Sequence, residues 1–274
     1  MRPKKTRPQQ RGPERPHGQQ RDQSGPSTTD LVRASPSAFW LYGLHAARAA
    51  LSNPRRRVRR AVTNERMATD LGKLLGSVPH EIAALDVISR LLPPGAVHQG
   101  IALLCEPLAS LDLEHALSAT APGRRIVGVL DQITDPHNEG AILRSAAAFG
   151  VSAIIVQDRH APPESGALAK AASGALDRVP RVAVVNIARA LEELGRLGFW
   201  RIALTLDGDA PLLEAAPPGD VAIVLGAEGS GLRRLVRERC DASAFIPILS
   251  GMESLNVSNA AAIAFYELRR GNGA

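Results

Sequence analysis

The chain has 274 residues, of which 45% are hydrophobic, and its 33 Lys and Arg against 27 Asp and Glu give a net charge of +6. This length suits one large domain or two small ones. No apolar run reaches the ~20 residues needed to cross a bilayer, and no hydrophobic stretch follows the basic start MRPKKTRPQQ, which argues against a secretory signal. Cys105 and Cys240 lie far apart, without a metal-binding motif around either. We therefore expect a soluble, reduced, cytoplasmic protein with no metal site.

The N-terminal segment, residues 1–36, has a net charge of +5 from eight basic and three acidic residues, with almost no apolar side chains. Such a segment cannot bury enough surface to offset the entropy cost of ordering, so we expect it to be disordered. Its charge suits binding to a polyanion such as RNA, and it suits a purely solubilising extension as well.

A small α/β domain is predicted next, over residues 37–108. A helix is expected over Leu44–Leu51, because Pro54 then disfavours helical geometry at Asn53. Two further short helices are predicted over Thr69–Leu75 and Pro79–Leu85, and a strand over Gln99–Cys105. Ahead of an expected strand lies an arginine cluster of five residues: Arg55, Arg56, Arg57, Arg59 and Arg60. Residues 109–123 are expected to form a linker.

From residue 124 the pattern becomes regular, since apolar runs of strand length alternate with segments of helix length. The expected strands are Ile126–Leu130, Ala153–Val156, Val182–Val185, Ile202–Leu206, Val221–Leu225 and Ala244–Ile248. The expected helices are Ala141–Phe149, Gly166–Ala175, Ile187–Leu197, Leu232–Arg239 and Ser258–Arg270. This alternation predicts an α/β domain over residues 124–274, with a parallel sheet covered by helices on both faces.

The first motif that could carry chemistry is DQITDPHNEGAILRSAAAFG, residues 131–150, between a strand and a helix. Asp135 and Pro136 are suited to start that helix. Asn138 and Arg144 are its polar residues of interest, although capping and solvent exposure would explain them equally well. Six residues is not a same-face helical spacing, so the pair can converge only if Asn138 sits outside the regular helix.

The second motif, IVLGAEGSGL, places three glycines and Glu228 directly after a strand. Glycines there often let a ligand approach the backbone, and a plain turn is the common alternative. The spacing is neither GxGxxG nor a P-loop. A carboxylate in the loop repels phosphates but tolerates a cation, so the sulfonium of S-adenosylmethionine fits better than NAD or ATP.

The third motif, IPILSGMESLNVSNAAAIAFYELRR, follows another strand and uses Gly251 to form a loop. Ser254, Asn256 and Ser258 then precede an apolar helix, which Asn256 or Ser258 could cap. Capping alone does not explain a polar set directly after a strand end, which is where open α/β sheets place ligands.

Together, the three motifs resemble in order and spacing those of the SPOUT RNA methyltransferases, in their 2′-O-ribose branch. The resemblance covers residues 124–274. The stretches WLYGLHAARAALSNPRRR and HQGI are similar to the L30e-like domain of the branch that methylates a guanosine of 23S ribosomal RNA.

The resemblance implies a deep trefoil knot in the parallel sheet, a homodimer, and S-adenosylmethionine as the methyl donor. It implies a cofactor site at Gly226, Ile246 and Leu255. It also implies a catalytic set of Asn138, Arg144, Glu228, Ser254 and Asn256. In this family Arg144 is proposed as the base, yet a guanidinium has a pKa above ~12, so an electrostatic role is the alternative.

The arginine cluster is the densest positive patch outside the N-terminal segment, and Arg55, Arg56 and Arg57 are predicted to bind RNA. The leading hypothesis is 2′-O-methylation of a guanosine in 23S ribosomal RNA. The same reaction on tRNA or on another rRNA nucleotide is an alternative, as is a non-catalytic RNA-binding factor in ribosome assembly. A nucleotide-dependent oxidoreductase is disfavoured by the missing GxGxxG.

Overall fold

The structure, a computed structural model, describes residues 38–118, 123–249 and 254–271. The basic segment 1–36 and Gly251 lie outside the described residues, so the predictions made for them stay predictions.

The first of two sheets is formed by the N-terminal part of the chain. Its strands are β1 (Phe39–Tyr42), β2 (Val58–Thr63), β3 (His80–Ile82) and β4 (Ile101–Cys105). Their order is β1-β4-β2-β3, with β4 antiparallel to β1 and β2, and β3 parallel to β2. The accompanying helices are α1 (Leu44–Ser52), α2 (Glu65–Leu75) and α3 (Leu85–Arg90).

Two helix predictions in this part were wrong. The helix predicted to begin at Thr69 begins at Glu65, because Asn64 caps it by accepting a hydrogen bond from the backbone nitrogen of Met67 at 2.9 Å. The helix predicted over residues 79–85 is instead strand β3, since its backbone pairs with β2, and α3 begins only at Leu85.

The second sheet has seven strands, and every pairing in it is parallel. Its strands are β5 (Ile126–Asp131), β6 (Ala153–Gln157), β7 (Arg181–Val184), β8 (Trp200–Leu204), β9 (Ala210–Pro211), β10 (Val221–Gly226) and β11 (Ala242–Phe245). The helices of this part are α4 (Leu113–Ser118), α5 (Pro136–Ala148), α6 (Gly166–Ala172), α7 (Ile187–Arg196), α8 (Leu212–Ala215), α9 (Arg234–Arg237) and α10 (Val257–Arg270). The predicted α/β class with a parallel sheet is confirmed.

Helices cover both faces of this sheet because successive strand residues point to opposite sides. Along β5, Ile126 and Leu130 pack into a core with α5, α6 and α10, whereas Val127 and Val129 pack into another with α4 and α7. The first core continues into the N-terminal sheet through Leu41 of β1. The two sheets therefore share buried apolar contacts although no strand pairing joins them.

The strand order, β7-β6-β5-β10-β8-β11-β9, places β10 between β5 and β8. On one side of β10 lie β5, β6 and β7, and on the other side lie β8, β11 and β9. In open parallel sheets a ligand crevice forms where the order reverses, outside the carboxyl ends of the strands. Here that point is the end of β10, at Gly226. No helix in the described ranges is long and apolar enough to span a membrane.

Candidate active site

Side chains from the three motifs meet in one hydrogen-bonded cluster, which we call the Glu228 cluster: Asn138, Glu228 and Asn256. The Oε1 atom of Glu228 accepts hydrogen bonds from Asn256 Nδ2 at 2.6 Å and from Asn138 Nδ2 at 3.3 Å. Asn256 Nδ2 also donates to Asn138 Oδ1 at 3.1 Å. Residues up to 118 positions apart in the sequence are thereby held within hydrogen-bond distance.

Each member of the Glu228 cluster is held by the end of a secondary-structure element. Asn138 lies in the first turn of α5, which Asp135 caps by accepting from the backbone nitrogen of His137 at 3.0 Å. Asn256 caps α10, because its Oδ1 accepts from the backbone nitrogen of Ser258 at 2.9 Å. Capping and site membership are therefore not alternatives for Asn256: its oxygen caps the helix while its nitrogen reaches Glu228.

A cleft of about 520 Å³ opens beside Glu228. Loops at the carboxyl ends of β8, β10 and β11 line it, together with the start of α10. Five predicted site residues are in this lining: Gly226, Glu228, Ile246, Ser254 and Leu255. The three residues predicted to hold the cofactor therefore share one cleft with two residues predicted to be catalytic. This agrees with the usual position of ligands at the carboxyl ends of parallel strands.

The loop after β10 requires glycine at two points. A Cβ on Gly226 would overlap the carbonyl carbon of Gly231, because the loop folds back onto its own start through a bridge between Ala227 and Gly231. Gly231 itself has a φ of +65°, a left-handed conformation that L side chains rarely adopt. These glycines keep the wall of the cleft as bare backbone, and Glu228 adds a carboxylate to the lining of the cleft.

Arg144 does not join the Glu228 cluster. It lies within α5 and is exposed. Six residues of helix separate it from Asn138 by about 9 Å along the axis and about 120° around it. Since Asn138 is inside the regular helix, the condition for convergence is not met within one copy of the chain. Among the described residues, none forms a hydrogen bond or ion pair with the Arg144 side chain.

The arginine cluster is less available than its composition indicates, and the prediction that Arg56 binds RNA was wrong. The Arg56 side chain has 0% exposure and pairs with Asp177 at 2.8 Å and with Glu164 at 2.6 Å. Both carboxylates come from the C-terminal half, so Arg56 joins the two parts of the chain. Arg57, with 76% side-chain exposure, and Arg55 remain on the surface.

Two charged residues of the cleft were missed by the sequence reasoning. Asp207 follows the end of β8 and receives a hydrogen bond from Arg237 of α9 at 2.9 Å. This hydrogen bond, with one from Thr205, holds the pKa of Asp207 below its usual value. Asp207 could have been found as a polar residue after a parallel strand, whereas nothing in the sequence around Arg237 indicated the cleft.

One family model, described as the SpoU rRNA Methylase family, matches residues 125–266, which is more than half of the chain. The chain belongs to the SpoU rRNA methylase family. The matched range contains the Glu228 cluster and the lining of the cleft.

Curated relatives of this SpoU methylase align over most of their length. The 23S rRNA (guanosine-2'-O-)-methyltransferase RlmB of Coxiella burnetii is 38% identical over 237 residues, covering 84% of this chain and 94% of the relative. The protein of the same name from Vibrio vulnificus is 37% identical over 239 residues, covering 84% and 96%. Because these alignments are longer than the part of the chain that carries the second sheet, they extend into the N-terminal sheet.

Two solved structures share the fold of this SpoU methylase. The SpoU methyltransferase AviRb from Streptomyces viridochromogenes, in complex with the cofactor AdoMet, has a TM-score of 0.73 at 22% identity, covering 85% of this chain and 90% of that chain. An AdoMet-bound rRNA methyltransferase from Sinorhizobium meliloti has a TM-score of 0.71 at 22% identity, covering 85% and 87%. The α/β architecture with helices around a parallel sheet is thus common to all three.

The cleft fits S-adenosylmethionine by charge and by surface. The charged side chains among its described lining residues are Asp207, Glu228 and Arg237. Two anions and one cation complement a ligand that carries an ammonium, a sulfonium and a carboxylate. The half-buried side chain of Ile246 offers an apolar surface for an adenine ring. In the described ranges, no group of three or more His, Cys, Asp or Glu could hold a metal ion.

Proposed function

We propose that this SpoU methylase transfers a methyl group from S-adenosylmethionine to the ribose 2′-oxygen of a guanosine in 23S ribosomal RNA. The observation that carries the proposal is the convergence of Asn138, Glu228 and Asn256 beside a glycine-walled cleft. The curated relatives, which align over the N-terminal sheet as well, support ribosomal RNA over tRNA as the substrate.

The cofactor is proposed to lie against Gly226, Ile246 and Leu255, with its carboxylate on Arg237 and its ammonium on Asp207. When bound, S-adenosylmethionine supplies an electrophilic methyl group on a positively charged sulfur. Glu228 provides negative charge beside it. In the described part of the chain, the hydrogen bonds to the Glu228 carboxylate all reach Oε1, so Oε2 is available to a ligand. The two asparagines fix the carboxylate, which lowers the cost of aligning donor and acceptor.

Arg144 is proposed to act as a cationic clamp rather than as a base. A guanidinium has a pKa above ~12 and stays protonated in proteins. It can hold an RNA phosphate and stabilise negative charge developing on the 2′-oxygen. Ser254, which lines the cleft, completes the catalytic set as a hydroxyl donor or acceptor.

A homodimer would bring Arg144 to the site that it does not reach in its own chain. Ile263 and Tyr266 of α10 are 37% and 47% exposed, and α10 packs beside α5, which carries Arg144. Burial of these apolar side chains favours association of two copies over this face. Arg144 of one copy would then face the Glu228 cluster of the other.

Complementation tests that arrangement. We expect Arg144→Ala and Glu228→Gln each to abolish methyl transfer. Arg144→Ala should leave cofactor binding nearly intact, whereas Glu228→Gln should weaken it, because it removes the negative charge beside the sulfonium. After unfolding and refolding together in equal amounts, about a quarter of wild-type activity should return, since half of the dimers are mixed and each has one intact site. No recovery, with mixed dimers demonstrated, would place both residues in one chain's site.

The proposal also includes the L30e-like domain, the linker and the trefoil knot. We assign the L30e-like role, binding of the RNA substrate, to residues 37–108, with a linker over residues 109–123. We assign the trefoil knot to residues 124–274. The assignment of the knot rests on the membership of residues 125–266 in the SpoU rRNA Methylase family. Arg55 and Arg57 are the proposed RNA contacts, and a substrate in ribosomal RNA suits a cytoplasmic location.

The decisive experiment incubates the protein with S-adenosylmethionine labelled in its methyl group and undermethylated total RNA. Nuclease mapping should find the label on a guanosine ribose of 23S RNA. Label in tRNA would select the alternative substrate. Cofactor binding without transfer to any RNA would refute the enzyme assignment in favour of a non-catalytic RNA-binding factor.

A further inference from the structure

The loop that carries Glu228 is closed by one buried carboxylate. Asp131 ends β5, has 0% exposure, and pairs in the parallel register with Gly226, where the loop begins. Its Oδ2 atom accepts a hydrogen bond from the backbone nitrogen of Arg233 at 3.1 Å, where the loop ends. A single residue therefore holds both ends of the segment 226–233.

The side chain of Arg233 adds a charged bond to the same carboxylate. Its Nε and Nη2 atoms donate to Asp131 Oδ1 at 2.8 and 2.5 Å. Nη2 also donates to Gln157 Oε1 at 2.9 Å, at the end of β6. The planar guanidinium suits this fork, and it ties the loop after β10 across β5 to β6. A lysine could not make the same set of bonds.

Two other Arg–Asp pairs have the same three contacts but lie at the opposite end of the sheet. Asp220 accepts from the backbone nitrogen, Nε and Nη2 of Arg125, and Asp241 accepts from those atoms of Arg201. Asp220 and Asp241 immediately precede β10 and β11. Among the described residues, Asp131 and Arg233 form the pair of this kind that lies at the carboxyl ends of the strands, beside the cleft.

We propose that Asp131 and Arg233 are positioning residues that hold the loop 226–233 in its cofactor-binding conformation. They act through the loop, because Glu228 and the glycine backbone hold their positions beside the cleft only while the two ends of segment 226–233 remain in contact. The other two pairs stabilise the sheet without shaping the cleft. The inference deepens the proposed function and rests on S-adenosylmethionine being the ligand of this cleft.

The first test measures the dissociation constant of S-adenosylmethionine by calorimetry on the purified full chain. Removal of the Arg233 side chain leaves the buried Asp131 carboxylate without its charged donor and loosens one end of the loop, so Arg233→Ala should weaken binding about 10-fold or more. Arg233→Lys should not restore affinity, because it lacks the fork. Arg201→Ala, the matched control, removes the same side-chain hydrogen bonds from Asp241 and should bind the cofactor as the wild type does.

A second readout needs no cofactor. Amide hydrogen exchange should speed up in segment 226–233 of Arg233→Ala and stay unchanged there in Arg201→Ala. Wild-type affinity and wild-type exchange in Arg233→Ala would overturn the proposal, and so would equal loss of affinity in both variants. If the wild-type chain itself did not bind S-adenosylmethionine, the proposed function would fail, while the exchange experiment would still decide the role of the pair.

Discussion

Replacement of Arg56 by alanine should destabilise the whole molecule rather than weaken RNA binding. Arg56 donates to Asp177 through Nε, to Glu164 through Nη1 and to the carbonyl of Glu106. Its guanidinium also lies 5.8 Å from the ring of Phe39. Burial opposes its charge, but the hydrogen bonds and charges of Asp177 and Glu164 outweigh that effect and raise its pKa. Arg56 therefore stays charged although it is buried.

The size of the effect follows from what the substitution leaves behind. The side chains of Asp177 and Glu164 are 1% and 8% exposed, so removal of the guanidinium leaves two buried carboxylates without their cation. Breaking a buried pair in this way costs about 3–5 kcal/mol. For a chain of this size, that cost corresponds to a fall in Tm of about 6–20 °C.

Thermal unfolding monitored by circular dichroism measures this change, with Arg57→Ala as the matched control. Arg57 is 76% exposed and 3.5 Å from Glu106, so its loss should cost less than about 1 kcal/mol. An Arg56→Ala variant with wild-type Tm and reduced RNA affinity would refute the reasoning. It would return Arg56 to the RNA-binding surface that the sequence indicated.

Three further outcomes are expected. The double variant Arg55→Ala, Arg57→Ala should reduce the magnitude of the slope of log RNA affinity against log salt concentration by up to about 2. An unchanged slope in a filter-binding titration would exclude both arginines from the RNA interface. Arg237→Ala should weaken binding of S-adenosylmethionine but not of its decarboxylated analogue. The control Arg234→Ala, which removes an exposed side chain on the same helix α9, should change the binding of neither ligand. Equal losses of affinity for both ligands in Arg237→Ala would exclude a carboxylate contact at Arg237. Burial raises the pKa of Cys105 to about 12, so its thiol stays protonated at pH 8 and iodoacetamide should label it only after unfolding; rapid labelling of the native protein would contradict this.

The alternation of apolar segments was enough to predict the α/β class and the parallel sheet, because strands buried on both faces must be apolar throughout. Errors fell where local signals compete. His80–Ile82 carries no clear period and became a strand only through pairing with β2. Asn64, a helix-capping residue, moved the start of α2 ahead of the predicted boundary.

The sequence by itself determined which loops form the site, because polar and glycine residues directly after parallel strands must gather at one edge of the sheet. The family resemblance that these motifs carry implied a set of five residues, and the structure joins three of them, Asn138, Glu228 and Asn256, by hydrogen bonds. Only the tertiary structure decided which charges are free to act. Arg56 and Arg57 are adjacent and chemically identical, yet one faces two buried carboxylates more than 100 residues away and the other faces solvent. Local sequence sets the charge of a side chain, whereas the distant residues that fold against it set its partner and its exposure to water.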